Sequence, residues 1–159
     1  MALPSFVPLA VTLSLLLASV ALAQEHREGA LSTDEKLGAV SFSTSCSAAA
    51  QPLFNRAVAL LHSFEFKQAI EGFNAALKSD PSCAMAEWGI ALSRWGNPFV
   101  AGLRPPAPLQ QGRDAVSRAR KIGLKTGRER AYVDAVSQLY ASFETIDQRT
   151  RMLAYRDAM

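Results

Sequence analysis

Apolar residues recur at helical spacing along most of the chain beyond its N-terminal region. Phe54, Ala57, Val58 and Leu61, for example, occupy positions i, i+3, i+4 and i+7, which lie on one face of a helix. Proline and glycine interrupt the pattern at intervals and indicate where the helices end. The pattern predicts an all-α fold with helices over residues 47–63, 65–79, 83–95, 109–123, 128–143 and 145–159.

The later helices can be described in more detail from the same pattern. Thr126 is the predicted N-cap of the fifth helix, because its hydroxyl group is suited to accept a hydrogen bond from a first-turn amide. Gly123 or Gly127 is the predicted end of the helix before it. The predicted inward face of the last helix consists of Ile146, Met152, Leu153 and Tyr155.

Ala57, Ala69, Phe73, Ala76 and Pro81 have the spacing of a tetratricopeptide repeat (TPR), a helix-turn-helix unit of about 34 residues. The chain resembles the TPR superfamily over residues 50–159. The resemblance implies a right-handed helical solenoid of about three helical hairpins over residues 46–159. The motifs D-P-S-C-A-M-A and G-N-P-F also resemble exported bacterial TPR proteins of unassigned function. Because those proteins tend to be longer, we expect this chain to be a fragment.

The TPR resemblance also implies a binding surface, since the first helix of each pair lines the inner groove of such solenoids. The lysine and asparagine set that binds a C-terminal carboxylate in chaperone-binding TPR proteins is absent from this chain. The resemblance therefore implies an aromatic, apolar groove suited to an apolar helix or an extended segment. The implied partner-binding residues are Phe54, Val58, Leu61, His62, Trp88, Leu92 and Trp95.

The two tryptophans, His62 and a proline-rich insertion each have two interpretations. Trp88 and Trp95 are seven residues apart and share a helix face, where they are either binding hot spots or core residues. His62 is more typical of a structural hydrogen-bonding residue than of a ligand. The proline-rich insertion at residues 99–108 is either part of the binding surface or a tolerated surface loop.

The first 23 residues carry no charged side chain and end in Ala21-Leu22-Ala23, the small-x-small pattern of a signal-peptidase site. The apolar run of about 14 residues is shorter than the roughly 20 that span a bilayer. We therefore predict a cleaved signal peptide, with an uncleaved anchor as the alternative, followed by a flexible leader over residues 24–45. In this leader, Val40 and Phe42 alternate with serines and are compatible with a short extended segment against the first helices.

Cys46 and Cys83 are the only cysteines of the chain. Export to an oxidising compartment favours a disulfide between them, since adjacent repeats place the starts of their first helices on the same edge. The alternatives are two buried thiols, or a metal- or redox-handling site that combines both cysteines with His62.

The net charge of +3 is small and does not indicate a nucleic-acid-binding protein. Basic residues cluster from Arg113 to Arg130, which is compatible with weak contact to anionic surfaces or with a solvated helix face. No catalytic motif and no cofactor motif is present. The sequence therefore predicts a non-enzymatic scaffold, periplasmic or secreted, that binds a protein or peptide of unknown identity.

Overall fold

The computed structural model describes residues 37–159, and all their regular elements are α-helices. The predicted all-α class is confirmed, and no strand occurs in this part of the chain. The predicted signal peptide and the first part of the leader lie outside the described residues. The helices are α1 (Gln51–His62), α2 (Phe66–Ser79), α3 (Ala84–Trp95), α4 (Pro106–Ile122), α5 (Gly127–Gln138) and α6 (Gln148–Ala158).

Several helix ends follow from local sequence. Thr126 is the N-cap of α5, as predicted: its side chain accepts a hydrogen bond from the amide of Glu129, while the Glu129 carboxylate accepts one from the Thr126 amide. Gly96 and Gly123 follow α3 and α4 with φ values of 75° and 98°, which cost little only in glycine. Helix α5 ends at Gln138, five residues before the predicted end, and turns follow it.

Each helix contacts the next one along the chain, and α3 also contacts α1 and α5. Phe73 of α2 is fully buried between its neighbours, with its ring 5.5 Å from that of Phe54 in α1 and against Gly89 in α3. A second aromatic ring, that of Tyr140, fills the space beside Gly112 in α4. Glycines in α3 and α4 thus leave room for large rings from α2 and from the turn after α5, and this interlocking gives the core its packing density.

The predicted inward face of the last helix is wrong for three of its four members. Arg151 is instead the buried residue of α6, at 4% exposed, because its guanidinium group donates hydrogen bonds to the carbonyl oxygens of Leu139 and Ile146. These bonds offset the loss of water around the charge. Tyr155 packs against the core, whereas Ile146, Met152 and Leu153 are exposed.

Residues 37–46 contain no helix, and we name them the N-terminal strap. Leu37, Val40 and Phe42 pack against the core, which agrees with the expectation of a segment laid against the helices. The last residues of the predicted leader therefore belong to the packed unit, which begins at Leu37.

Candidate functional site

An apolar cleft of about 530 Å³ opens between the α1–α2 turn, the end of α3, the loop after α3, and α6. Its size lies within the range of small-molecule and peptide-anchor pockets. Most of its wall is hydrocarbon, so it is suited to receive apolar side chains. The lining residues are Leu61, His62, Phe64, Phe66, Leu92, Trp95, Gly96, Pro98, Phe99, Leu139, Met152, Tyr155 and Arg156.

The rim of the cleft is aromatic and open to solvent. Phe64 adopts a φ of 64° in the α1–α2 turn, a conformation that costs energy for a bulky residue. Its ring lies 6.1 Å from that of Phe66 and 6.2 Å from that of Phe99, which joins the turn to the loop after α3. Phe64 is 49% exposed and Phe99 83% exposed, so both rings are available to a ligand.

Trp95 is placed at the inner end of the cleft by two arginines. The guanidinium carbon atoms of Arg104 and Arg151 lie 5.3 and 5.7 Å from the centre of its ring, within the range of cation–π attraction. The Arg104 amide also donates a 2.8 Å hydrogen bond to Gln148, and the Gln148 side chain donates one of 3.0 Å to the carbonyl oxygen of Gly102. These contacts hold the loop after α3 against α6, so both walls of the cleft are fixed.

Polar groups are few at this site. Arg156 pairs with Asp157 through bonds of 2.8 and 2.6 Å, and His62 is exposed at the edge. Burial raises the pKa of the Tyr155 hydroxyl group, so this group is neutral at physiological pH. The arrangement therefore favours binding of apolar groups.

Four of the seven predicted partner-binding residues line this cleft: Leu61, His62, Leu92 and Trp95. The other three predicted residues do not line it. Phe54, Val58 and Trp88 are 0%, 2% and 5% exposed, because the core and the N-terminal strap cover them. These three are core residues that could contact a partner only after repacking. Trp95 is also only 5% exposed, but it lines the cleft.

The predicted disulfide between Cys46 and Cys83 is present and joins the strap to the start of α3. His62 stands at the opposite end of α1, a helix of 12 residues and hence about 18 Å long. The structure thus does not bring His62 together with the two cysteines. Within residues 37–159, no group of three or more histidine, cysteine, aspartate or glutamate side chains is close enough to hold a metal ion.

The basic cluster at residues 113–130 is largely engaged within the chain. Its cations lie on α4, on α5 and in the turn between them, and most bond to acidic side chains or to carbonyl oxygens. The three ion pairs offset charge, whereas the bonds to carbonyl and hydroxyl oxygens occupy N–H donors without changing the charge. The pairs are Arg113 with Glu144, Arg118 with Glu87, Arg120 with Asp134, Lys125 with Ser45 and Ser82, Arg128 with Ser43, and Arg130 with Leu124.

Sequence reasoning missed the other half of the cleft, formed by Phe64, Phe66, Phe99, Met152 and Tyr155. The signal for Phe64 and Phe66 was an aromatic pair at the predicted junction of the first two helices, where Phe64 lies outside both of them. Comparison of the chain with models of known families, with curated proteins and with solved structures finds no match. In the part of the chain that the structure describes, none of the helices combines the length and the apolar character needed to cross a bilayer.

Proposed function

We propose that this chain is a TPR-like helical-repeat scaffold that binds an apolar segment of a protein partner through the cleft, without catalysing a reaction. The observation that carries the proposal is the exposed aromatic rim around an apolar cavity. Phe99 is 83% exposed, Phe64 is 49% exposed and Met152 is 37% exposed, and all three line the cleft. Contiguous apolar surface of this kind typically marks a site of interaction.

The order of helix contacts supports the solenoid part of the proposal. In a solenoid of stacked hairpins, the helices of each hairpin contact one another and those of the neighbouring hairpins only. The contacts of α3 with α1, α2, α4 and α5 follow that order. The disulfide supports a periplasmic or secreted location, because disulfides persist in oxidising compartments.

The cleft also has two properties expected of a peptide-binding site, fixed walls and an open rim. Its walls are fixed by the contacts of Arg104, Arg151 and Gln148, whereas its rim is open. A preformed apolar pocket loses little conformational entropy when it is filled. An aromatic or aliphatic anchor of the partner would contact lining residues that include Phe64, Leu92, Trp95 and Met152.

Selection from a library of random peptides on the purified, oxidised chain tests this proposal. We expect enriched peptides with apolar anchors, and at least tenfold weaker binding by F99S and M152D. The matched control is L53S, because Leu53 is 38% exposed, like Met152, but does not line the cleft. Circular dichroism would verify that each variant is folded. Failure to enrich any peptide, or equal binding by F99S, M152D and the unmodified chain, would contradict the proposal.

A further inference from the structure

Phe42 of the N-terminal strap occupies the face formed by α1, α3 and α5. Its ring centre lies 5.7 Å from that of Phe54 in α1, 5.4 Å from Trp88 in α3 and 5.3 Å from Tyr132 in α5. The guanidinium carbon of Arg128 also lies over this ring, 4.6 Å from its centre. A single strap residue therefore contacts three successive odd-numbered helices at once.

The main chain of the strap is held by hydrogen bonds to side chains of α1, as the main chain of a bound peptide would be. The side-chain amide of Gln51 donates a 2.8 Å hydrogen bond to the carbonyl oxygen of Phe42, and Asn55 accepts one of 3.4 Å from the Phe42 amide. The Gln51 carbonyl oxygen also accepts from the amide and hydroxyl groups of Thr44, at 3.1 and 2.8 Å. Main-chain bonds give affinity in such modes, and the side-chain pocket gives specificity.

The end of the strap is fixed by Glu129 and by the disulfide. Glu129 is 4% exposed, and its carboxylate accepts bonds of 2.7 and 2.9 Å from the amide and hydroxyl groups of Ser45. One residue later, Cys46 is joined to Cys83. The bound segment thus has a defined chemistry: an aromatic residue, then hydroxyl residues two and three positions after it.

One polar group of this face is left unsatisfied by the strap. The indole N–H of Trp88 is buried and has no acceptor among the described residues, although its ring stacks on Phe42. A buried donor without an acceptor costs stability. The strap is therefore an imperfect occupant, and a ligand with an additional acceptor would fit the face better.

We propose that the strap is an autoinhibitory ligand in cis, that the Cys46–Cys83 disulfide is its latch, and that reduction lets a partner segment of the form Phe-x-Thr-Ser replace it. This site is separate from the cleft, because Gln51, Asn55, Trp88 and Tyr132 do not line the cleft. The disulfide fixes the end of the strap beside α3, four residues after Phe42. Without it the strap is tethered only through the residues before α1, so it competes with a partner at a lower effective concentration, in the millimolar range.

The latch opens by thiol–disulfide exchange with a dithiol reductant. Its thiolate attacks the Sγ atom of Cys46, which is half-buried, whereas Cys83 is fully buried. The Cys46–Cys83 bond breaks, and Cys83 leaves as a thiolate that takes up a proton. The second thiol of the reductant then attacks the mixed disulfide and releases Cys46 as a thiol. The two electrons come from the reductant, which ends as a disulfide.

The test uses the full chain and a fluorescent synthetic peptide, G-A-V-S-F-S-T-S, with the sequence of residues 38–45. Fluorescence anisotropy should show no binding to the oxidised chain and weak binding to the chain reduced with dithiothreitol. Binding to reduced F42A should be at least tenfold tighter than to the reduced unmodified chain, because the competitor in cis has lost its ring. Addition of Q51A to F42A should weaken binding at least tenfold. A peptide with alanine in place of its phenylalanine should not bind.

Three results would overturn the proposal: equal binding to oxidised and reduced chains, no binding to a folded, reduced F42A, or equal binding of the alanine peptide. Deuterium uptake of the strap in the unmodified chain provides a second measurement if F42A does not fold. Reduction should raise uptake at Phe42 and Thr44 at least tenfold in rate. Unchanged protection of the strap in the reduced, folded chain would show that the disulfide is not a latch.

Discussion

Gly89 of α3 lies against the ring of Phe73 in α2, so closely that a methyl group at position 89 would overlap the ring. We expect G89A to lower the free energy of unfolding by about 1–3 kcal/mol, because both helices must shift. A decrease in the free energy of unfolding would indicate this overlap, since replacement of a helical glycine by alanine otherwise stabilises a helix by up to about 1 kcal/mol. Urea denaturation measures the effect.

The matched control for G89A is G127A. Gly127 is also helical, but a methyl group there would approach only the flexible end of Arg130, at 3.7 Å. We expect G127A to unfold at the same urea concentration as the unmodified chain or at a higher one. A destabilisation of equal size in both variants would mean that Gly89 is not needed for the approach of α2 and α3.

The ion pair between Glu87 and Arg118 is expected to stabilise the contact of α3 with α4. The guanidinium group donates bonds of 2.7 and 2.9 Å to a carboxylate whose side chain is 6% exposed. We expect R118A to cost about 2 kcal/mol, because it leaves a buried carboxylate without its partner.

Arg120 supplies the control for this prediction. Its side chain is 51% exposed, the same as that of Arg118, but its partner Asp134 is 63% exposed. We expect R120A to change the free energy of unfolding by less than about 1 kcal/mol. Equal effects of R118A and R120A in thermal unfolding would show that burial of Glu87 does not matter.

Acid should weaken the attachment of the strap through Glu129. Burial alone would raise the pKa of Glu129, but hydrogen bonds from Ser45, Thr126 and Lys125 outweigh it and lower the pKa below the usual 4.5. The ionised carboxylate therefore contributes its full stability above about pH 4.5. This contribution is lost as the pH falls through the lowered pKa of the folded state.

Comparison of the unmodified chain with E129Q isolates this effect. Because glutamine does not titrate, the loss of stability on acidification should be smaller in E129Q. Asp80, whose pKa is also lowered, mainly by the hydroxyl group of Ser82 and the amide of Ser47, is present in both proteins and cancels in the difference. Urea unfolding at several pH values measures the difference in stability between the two proteins. If the free energy of unfolding depends on pH in the same way in both, Glu129 has no role in the loss of stability.

Reduction of the disulfide should also destabilise the fold. Cys46 and Cys83 are 37 residues apart, and in the chain-entropy model a cross-link over such a loop contributes about 4 kcal/mol. We expect a lower midpoint of thermal unfolding in dithiothreitol. The variant C46S should have this lower midpoint with or without reductant. A reductant effect of equal size in C46S would show that the disulfide is not its cause.

The helices could be predicted because alanine and large apolar residues alternate at helical spacing. The hydroxyl group of Thr126 and the glycine at position 123 act within one turn of chain, so their roles follow from local sequence. Glu87 is a buried charge in the otherwise mostly apolar α3, and local sequence does not supply its partner. Arg118 reaches across from α4, 31 residues later, to pair with it.

The position of Trp88 and the face of α6 could not be predicted in the same way. Trp88 is covered by Phe42, which lies in a segment without helical periodicity, and Ser45 bonds to Glu129 across 84 residues. In α6, the buried position belongs to Arg151, because two carbonyl oxygens need its hydrogen bonds. The spacing of apolar residues gives no information on which carbonyl oxygens need a hydrogen-bond donor. For this reason Met152 was predicted to face the core.

The strap also has a consequence for the order in which the protein is made. Phe42 leaves the ribosome before any of the three helices that hold it, and its site is complete only after α5 has been synthesised. The 84 residues between Ser45 and Glu129 correspond to roughly 4 to 17 s of translation. During that interval Phe42 can contact α1 and α3 but not Tyr132, and Ser45 has no Glu129 to bond to. The strap is therefore held by only part of its final contacts until α5 has been made.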